Sequence, residues 1–514
     1  MWLIAPGLHW LDSSELALGS HVLAITHPPG QVPYLFFAKA FQMFPIGSIA
    51  FRTNLFSWFS TLVGGFVFLQ FCQRQRLSYG AIAVITIILS GFVFKQAVRT
   101  EVYSLAATLG LITIVTTSLN DVRAHYLGAF CAGLLVAAHP IIGLVVLPSL
   151  IKRKWAPMCL FFIMGTIVLV FLPIRGAGQS AWNFANIGSM YEFYWYITGK
   201  LYPAYSQTSL LSMLEHLRDC LWVIFKEHYY VLCILFFMGM FLWFRQKSKI
   251  FVLKLGLGLG ALILALVRQN NFWANNPDVY GYLSLLSWVV GLMCVFATDS
   301  IGNSGVKYGR TIAVMIWSVC IFHILLNQKE LLRYRRDNIA MGHMNYLMLE
   351  PFSRGKVFVS SFVTLSLMTY GREVEKRRPD IKLAYRGDSK TNARQPVSHA
   401  TSSLFELAIS KGQDQKYALK VTDYEMLDDH FSCKGWFCDQ HRFSLEKRSI
   451  FNTYLNDATQ RMSQVEYYAS EPYVLHALLT MLAFRYQRDF ENESKEKSLL
   501  LFLLRETPDY NTIQ

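Results

Sequence analysis

Apolar residues in this chain fall in long runs with almost no charge: Leu62–Phe71, Ile82–Phe94, Leu105–Thr116, Leu160–Leu172, Val231–Trp243 and Val279–Ala297. Helical stretches of about 17–25 such residues cross a bilayer. The pattern predicts spans near 50–72, 79–97, 102–119, 155–173, 229–244, 251–267, 279–297 and 310–327. Segment 125–151 is interrupted by His139-Pro140, and proline disfavours helix at the residue before it. Two short helices, 125–138 and 141–151, meeting on one face, fit it better. Residues 1–11 are too short to span and read as the last turns of a first helix that begins upstream, with a short interfacial helix as the alternative. That segment has no basic n-region and no small-residue cleavage site, so no cleavable signal peptide is expected.

After position 327 the pattern changes. Val357–Ser361, a helical run to about Lys376, and Ile381–Tyr385 after Pro379 read as β-α-β. Leu404–Ser410 reads as helix, Tyr417–Val421 as strand, and 450–467 and 472–505 as helices. The expected organisation is a membrane domain over 1–327 and an α/β soluble domain over 328–514.

Composition agrees. The chain is 53% hydrophobic and 16% charged, with mean hydropathy +0.30, against about 25% charged in soluble proteins. Residues 1–327 hold 21 Lys and Arg but ten acids, and residues 328–514 hold 27 and 24. Most of the net charge of +14 therefore lies in the membrane part, where basic loops set orientation, and it is no nucleic-acid footprint. Clusters at Arg74/Arg76, Arg123, Lys152-Arg153-Lys154, Arg245/Lys247/Lys249 and Lys307/Arg310 mark the cytoplasmic side. The 12–49 loop, 98–101, His139, the 174–228 loop, the 268–278 loop and everything after 328 then lie outside. Cys433 and Cys438 form a close pair in that exported part, a disulfide or two free thiols. The other seven cysteines read as packing residues.

The candidate chemistry gathers on the outer side. Asp12 and Glu15 are two of the ten acids and are spaced to share a helix face. Ionisable groups near a bilayer are costly and point to function. Either carboxylate can take a proton from a hydroxyl. His27, Arg52, Arg99 and Arg175 can hold a phosphate, and Glu101, Tyr103 and His139 bring further polar groups to the same side. Taken singly, Arg52 and Arg175 also read as interfacial anchors and His139 as a core histidine.

These motifs are familiar in combination. Trp10-x-Asp12-Ser13-x-Glu15 followed by His27-Pro28-Pro29-Gly30 resembles the signature of a family of bacterial multi-span proteins. That family includes a vertebrate transmembrane protein O-mannosyltransferase. The likeness continues through Phe44-Pro45-Ile46-Gly47-Ser48-x-Ala50-Phe51-Arg52-x-Asn54-Leu55, Arg99-x-Glu101-Val102-Tyr103, Ala138-His139-Pro140 and Leu172-Pro173-Ile174-Arg175. Arg378-Pro379-Asp380 is a weaker echo. The family is similar to the GT-C glycosyltransferases.

The resemblance implies a GT-C-like, α-helical polytopic membrane protein of about ten to eleven helices with a C-terminal α/β domain. It implies transfer of a sugar, such as mannose, from a polyprenyl-phosphate donor to a protein or glycan hydroxyl at the outer face of a bacterial inner membrane. Asp12 would be the base and Glu15 would orient acceptor or sugar. His27, Arg52, Arg99 and Arg175 would stabilise the departing phosphate. The need for a divalent metal is left open. The chain departs from the family at Ser14, where glycine is usual, and at Gln31-Val32-Pro33-Tyr34, where Tyr-Pro-Leu is usual. A Gly-Asp segment near Val359-Ser360-Ser361 is missing.

Two other classes remain open on sequence. A lipid-linked substrate transporter would place ionisable groups at mid-membrane between internal repeats, and no repeat is visible. A docking protein would tolerate loss of the acids, and both are present. A Gly-rich phosphate loop and an Asp-x-Asp motif, which cytoplasmic nucleotide-sugar chemistry would use, are not seen.

Overall fold

The computed structural model describes most of residues 3–326 apart from 152–154, 200–208, 269–278 and a few single or paired positions. Beyond that it describes isolated residues from 335 to 348 and the segments 355–359, 362–385, 419–421, 432–434 and 437–439. The expected helices at 404–410, 450–467 and 472–505, most of the 268–278 loop and the Lys152–Lys154 cluster lie outside the described residues.

The chain opens differently from the expected helix end. Leu3–His9 run as turns and bends, because Pro6 lacks a donor and constrains the residue before it. Their polar backbone is satisfied from elsewhere: Ala5 N–H donates to the Val98 carbonyl at 2.9 Å. The Asn54 amide donates to the carbonyls of Ala5 and Gly7 at 2.9 and 2.8 Å. Asp12 and Glu15 therefore begin a helix, α1 (Asp12–Val22), instead of ending one. Carboxylates in a first turn are favoured by the exposed N–H groups there.

The expected 12–49 loop holds a second helix, α2 (Val32–Gln42), with proline in its first turn. Phe36, Phe37, Met43 and Phe44, on α2 and just after it, are exposed, which fits a helix lying at a lipid interface.

Ile49–Arg74 (α3) begins with the Ser48 hydroxyl accepting from Phe51 N–H. The expected 79–97 span is two helices, α4 (Gly80–Ile88) and α5 (Gly91–Ala97), bent by 67° at Ser90. Ser90 is extended, and Ser-Gly pairs are common kink sites. Next come α6 (Tyr103–Ser118) and α7 (Val122–Ala138). The 141–151 half of the broken pair is shorter than expected: a single turn, α8 (Pro140–Gly143), and a 3-10 turn, Leu147–Leu150.

Trp155–Thr166 (α9) continues through a 3-10 turn into α10 (Phe171–Gly176). The expected 174–228 loop contains α11 (Met190–Ile197) and α12 (Leu210–Glu227). Then follow α13 (Val231–Gln246), α14 (Lys249–Arg268), α15 (Ser284–Gly302) and α16 (Gly309–Leu326).

Among the described residues, four helical stretches are long and apolar enough to cross a membrane: Ile49–Arg74, Ala156–Gly176, Lys249–Arg268 and Tyr280–Gly302. The bent pairs α4/α5 and α12/α13 raise this to six if each is one span. Helix α15 forms the centre, with Trp288 fully buried against Phe68 of α3. Helices α7 and α9 meet backbone to backbone. A Cβ at Gly133 would lie 2.2 Å from the Phe162 carbonyl oxygen, and one at Gly165 2.3 Å from that of Phe130. Small residues permit this approach where both surroundings are apolar.

In the tail, β1 (Gly355–Val359), α17 (Phe362–Glu373) and β2 (Ile381–Tyr385) form a parallel β-α-β unit. Strands β3 (Leu419–Val421), β4 (Ser432–Lys434) and β5 (Phe437–Asp439) complete a sheet of order β2-β1-β3-β5-β4. The β4/β5 hairpin is antiparallel, and its register sets Cys433 opposite Cys438. Helix α17 packs against α1, joining the tail to the helix that carries the two acids.

Candidate active site

Three elements converge on one histidine. The first is the N-terminal turn of α1. The second is the loop after α1, whose Pro28–Pro29 bond is cis. The third is the stretch after α10. Gly30 takes φ 91°, and a Cβ there would meet Leu172 at 2.8 Å and the Tyr196 hydroxyl at 3.1 Å. Only glycine fits this turn comfortably. The Ile25 backbone N–H donates to Asn183 Oδ1 at 3.1 Å, and Phe184 N–H donates to the Ile25 carbonyl at 2.7 Å. The Tyr196 hydroxyl donates to the Thr26 carbonyl.

So fixed, the loop delivers His27 between the two acids. Its Nδ1 lies 2.5 Å from Glu15 Oε2, and its backbone N–H donates to Glu15 Oε1 at 2.8 Å. The Trp182 indole N–H donates to the same Oε1 at 3.3 Å. Glu15 is thus fully buried and held by three donors. Asp12 Oδ2 stands 3.5 Å from His27 Nε2, and the Asp12 side chain is 34% exposed. Asp12 is the open carboxylate, and Glu15 is the closed one.

Electrostatics follow from this layout. Burial pulls the His27 imidazole down, but Asp12, Glu15 and the Glu15 hydrogen bond outweigh it and push it up to about 10. Desolvation raises the Asp12 carboxyl above its ordinary value, Glu15 adds to the rise, and His27 and Arg99 oppose it. An imidazolium needs acceptors at both nitrogens. The Gln31 amide lies 3.0 Å from Nε2 and 2.5 Å from the Thr26 hydroxyl. As placed, Gln31 Nε2 faces the ring and Thr26 Oγ1 lies against Gln31 Oε1 and 3.1 Å from the Gly30 carbonyl; reversing the amide, whose two ends have the same shape, would set its oxygen at His27 Nε2 and let its amine donate to Thr26 Oγ1.

The remaining candidates divide. Arg99 is fully buried, with Nη1 3.1 Å from His9 Nδ1, Nη2 3.1 Å from Gln96 Oε1 and 3.7 Å from Glu101 Oε1. Arg99 and Glu101 act on the charges of Asp12 and His27 without touching them. Tyr103, His139 and Tyr282 form an aromatic cluster with centroids 4.9–5.3 Å apart. His139 Nδ1 also caps α8, 3.5 Å from Ile142 N.

Arg52 is spent elsewhere. Its Nε, Nη1 and Nη2 donate to the carbonyls of Ile46, Gln42 and Gly47 at 3.2, 2.8 and 3.0 Å. Arg175 donates to the Val22 carbonyl at the end of α1 at 3.1 Å, and Lys39 donates to that of His21. Both are cations at a helix C-terminus, where the dipole favours them.

Trp182, Gln31, His9 and Asn183 are site residues that sequence reasoning did not single out. For Gln31 the signal was position, one residue after the His-Pro-Pro-Gly motif. Trp182 and Asn183 are more than 150 residues from their partners, with no motif to flag them.

Asp12, Glu15 and His27 each offer one atom within 4.8 Å of the others, a set compatible with a divalent cation. Such a cation would replace the proton on His27, because a metal takes neutral imidazole.

An acid–histidine–acid cluster with one carboxylate buried and one open, beside an apolar helical bundle, defines a polytopic helical membrane protein with an enzyme-like site. The fold matches a solved structure, ArnT from Cupriavidus metallidurans bound to undecaprenyl phosphate. The TM-score is 0.51 at 12% identity, covering 82% of this chain and 90% of that one. The apo form of the same protein aligns with a TM-score of 0.46.

The chain is related in sequence to the protein O-mannosyl-transferase TMEM260 family. Residues 12–153 match the profile described as "Protein O-mannosyl-transferase TMEM260 N-terminal domain". The mouse Protein O-mannosyl-transferase TMEM260 is 24% identical over 220 residues, 38% of this chain and 31% of that protein. The chain thus spans about a third of the length of that relative. The matched 12–153 stretch contains Asp12, Glu15, His27, Arg99 and His139.

Proposed function

We propose that the protein is a GT-C-type membrane glycosyltransferase. It moves a sugar, with mannose first to test, from a polyprenyl-phosphate donor to a hydroxyl on a protein or glycan. The observation that carries this reading is the Asp12–His27–Glu15 cluster, in which one carboxylate is open and the other is locked onto the histidine.

The reaction is a single displacement with inversion. The acceptor oxygen bonds to the anomeric carbon as the bond from that carbon to the phosphate oxygen breaks. The acceptor proton passes to Asp12, and the polyprenyl phosphate leaves. Glu15 and Gln31 hold the His27 imidazolium beside that event, where its charge favours the developing phosphate anion. The lipid tail runs along the apolar bundle, so the membrane orients the donor. Residues 1–327 form the membrane domain, and 328–514 form an α/β domain on the outer side. A reporter active only outside the cytoplasm, fused after Gln514, is expected to be active.

Asp12→Asn is close in shape and cannot take a proton. It is expected to lower transfer about 10²–10⁴-fold with donor binding retained, measured in membranes given polyprenyl-phosphate sugars and candidate acceptors. Undiminished transfer in the double variant Asp12→Asn/Glu15→Gln would remove this mechanism.

A further inference from the structure

Ser14 lies between the two acids in the first turn of α1, and its side chain points away from the site, into the tail. Ser14 and Ser366 are both fully buried, with their hydroxyl oxygens 2.5 Å apart. Ser366 sits on α17, in the β-α-β unit, 352 residues further along. Around this pair the two helices share one apolar cluster, including Leu8, Ala17, Leu18, Leu365 and Met368. Four residues beyond Ser366 on the same helix, the Tyr370 hydroxyl accepts the Ala50 backbone N–H at 3.1 Å and donates to Glu375 at 3.3 Å. On the membrane side, Ser14 adjoins Glu15, and Ala50, in the first turn of α3, belongs to the same apolar cluster.

We propose that α17 of the tail is a positioning element for the α1 helix, and that the Ser14–Ser366 pair locks the Glu15–His27 geometry. A buried hydroxyl left without its partner costs free energy, so Ser14 favours arrangements in which α17 is docked. The tail of this chain therefore sets the register of its own acidic turn, and Ser366 acts through Glu15 without meeting substrate. The proposal deepens the transferase reading and rests on it only for the activity arm of the test.

The test compares the full-length wild type, Ser366→Ala, Ser14→Gly and Ser14→Gly/Ser366→Ala in membranes or detergent. Hydrogen exchange of segment 12–22 and the pH at which His27 titrates are read first, because neither needs a substrate. Ser366→Ala is expected to speed exchange of 12–22 about 3–10-fold, the size of one neutral hydrogen bond, and to lower the titration midpoint of His27. The double variant is expected to recover most of both effects, since it removes the orphaned hydroxyl. Transfer, where measured, should fall by a similar factor in kcat with donor KM unchanged.

Exchange and titration in Ser366→Ala equal to wild type would overturn the lock. A defect that the double variant fails to relieve would also overturn it, as it would mark general damage to α17. If exchange and titration behave as expected while no sugar is transferred by any variant or by wild type, the lock stands and the transferase reading falls.

Discussion

Glu15 grips His27 twice, through Nδ1 at 2.5 Å and through the backbone N–H at 2.8 Å. One carboxylate thereby fixes the ring plane, the protonation state and the end of the loop that carries the ring. Nε2 is left facing Asp12, the carboxylate that remains open. The orientation of the site is thus decided by a buried carboxylate held by three donors.

Glu15→Gln tests that division of labour. The amide keeps the shape but loses the charge that favours the imidazolium, so the His27 midpoint should fall toward 6.5, its ordinary value. Transfer should drop about 10–100-fold, the worth of one charged hydrogen bond. The titration is followed by NMR of labelled histidine. A midpoint unchanged near 10 would show that Asp12 alone sustains the proton.

Arg52 is expected to affect stability rather than donor use. Its guanidinium bridges the Gln42, Ile46 and Gly47 carbonyls, so Arg52→Ala releases the turn between α2 and α3. A small loss in melting temperature with donor KM within two-fold of wild type is the expected pattern, at about 0.5–1.5 kcal/mol for the part-buried hydrogen bond to Gln42, since water takes over the exposed Ile46 and Gly47 carbonyls. A large rise in donor KM without loss of stability would return Arg52 to the phosphate.

Much of this was legible in the sequence, for identifiable reasons. Charge-free runs locate helices because a bilayer tolerates little else. The acids stood out because they are rare there. The breaks were harder. The bend at Ser90 lies inside an uninterrupted apolar run, and hydropathy averages over it. Helix α12 was hidden by the opposite effect. Glu215, Arg218, Asp219, Lys226 and Glu227 dilute its apolar face, although Leu210, Leu214, Leu217 and Leu221 recur at helical spacing. The N-terminal stretch read as a helix end on apolar content, but Pro6-Gly7 governed its backbone. In the site, Asp12, Glu15 and His27 were legible as a set because they are close in sequence. The roles of Arg52 and Arg175 were not, since a guanidinium serves a carbonyl as readily as a phosphate.

Chelation separates the proton from a metal at the same three ligands. Asp12, Glu15 and His27 would offer a divalent cation the same atoms that surround the His27 proton. Transfer that survives EDTA treatment at pH 7 would assign the cluster to the proton, because proton and metal compete for the imidazole. Collapse of transfer on EDTA treatment, restored by added Mg²⁺ or Mn²⁺, would show that the cluster works as a metal centre.

The pH profile ties the cluster together. In the proposed mechanism, transfer needs Asp12 ionised to accept a proton and His27 charged to oppose the leaving phosphate. The Asp12 carboxyl is held above its ordinary 3.8, mainly by desolvation, so the acid limb should lie above that of an exposed aspartate. The His27 midpoint is about 10, so the basic limb should fall there and not near 6.5. The two groups are coupled, and the limbs belong to the pair.

Stability has its own sign. The folded midpoint of His27 exceeds the unfolded one. Its contribution is therefore complete below about 6.5 and is lost as pH rises toward about 10. Melting temperature should decline across that window in the wild type and decline less in Glu15→Gln, whose His27 midpoint is nearer the unfolded value. The same variant should move the basic limb of transfer to lower pH. Identical basic limbs and identical melting curves from pH 6.5 to 10 in wild type and Glu15→Gln would show that Glu15 does not set the His27 midpoint.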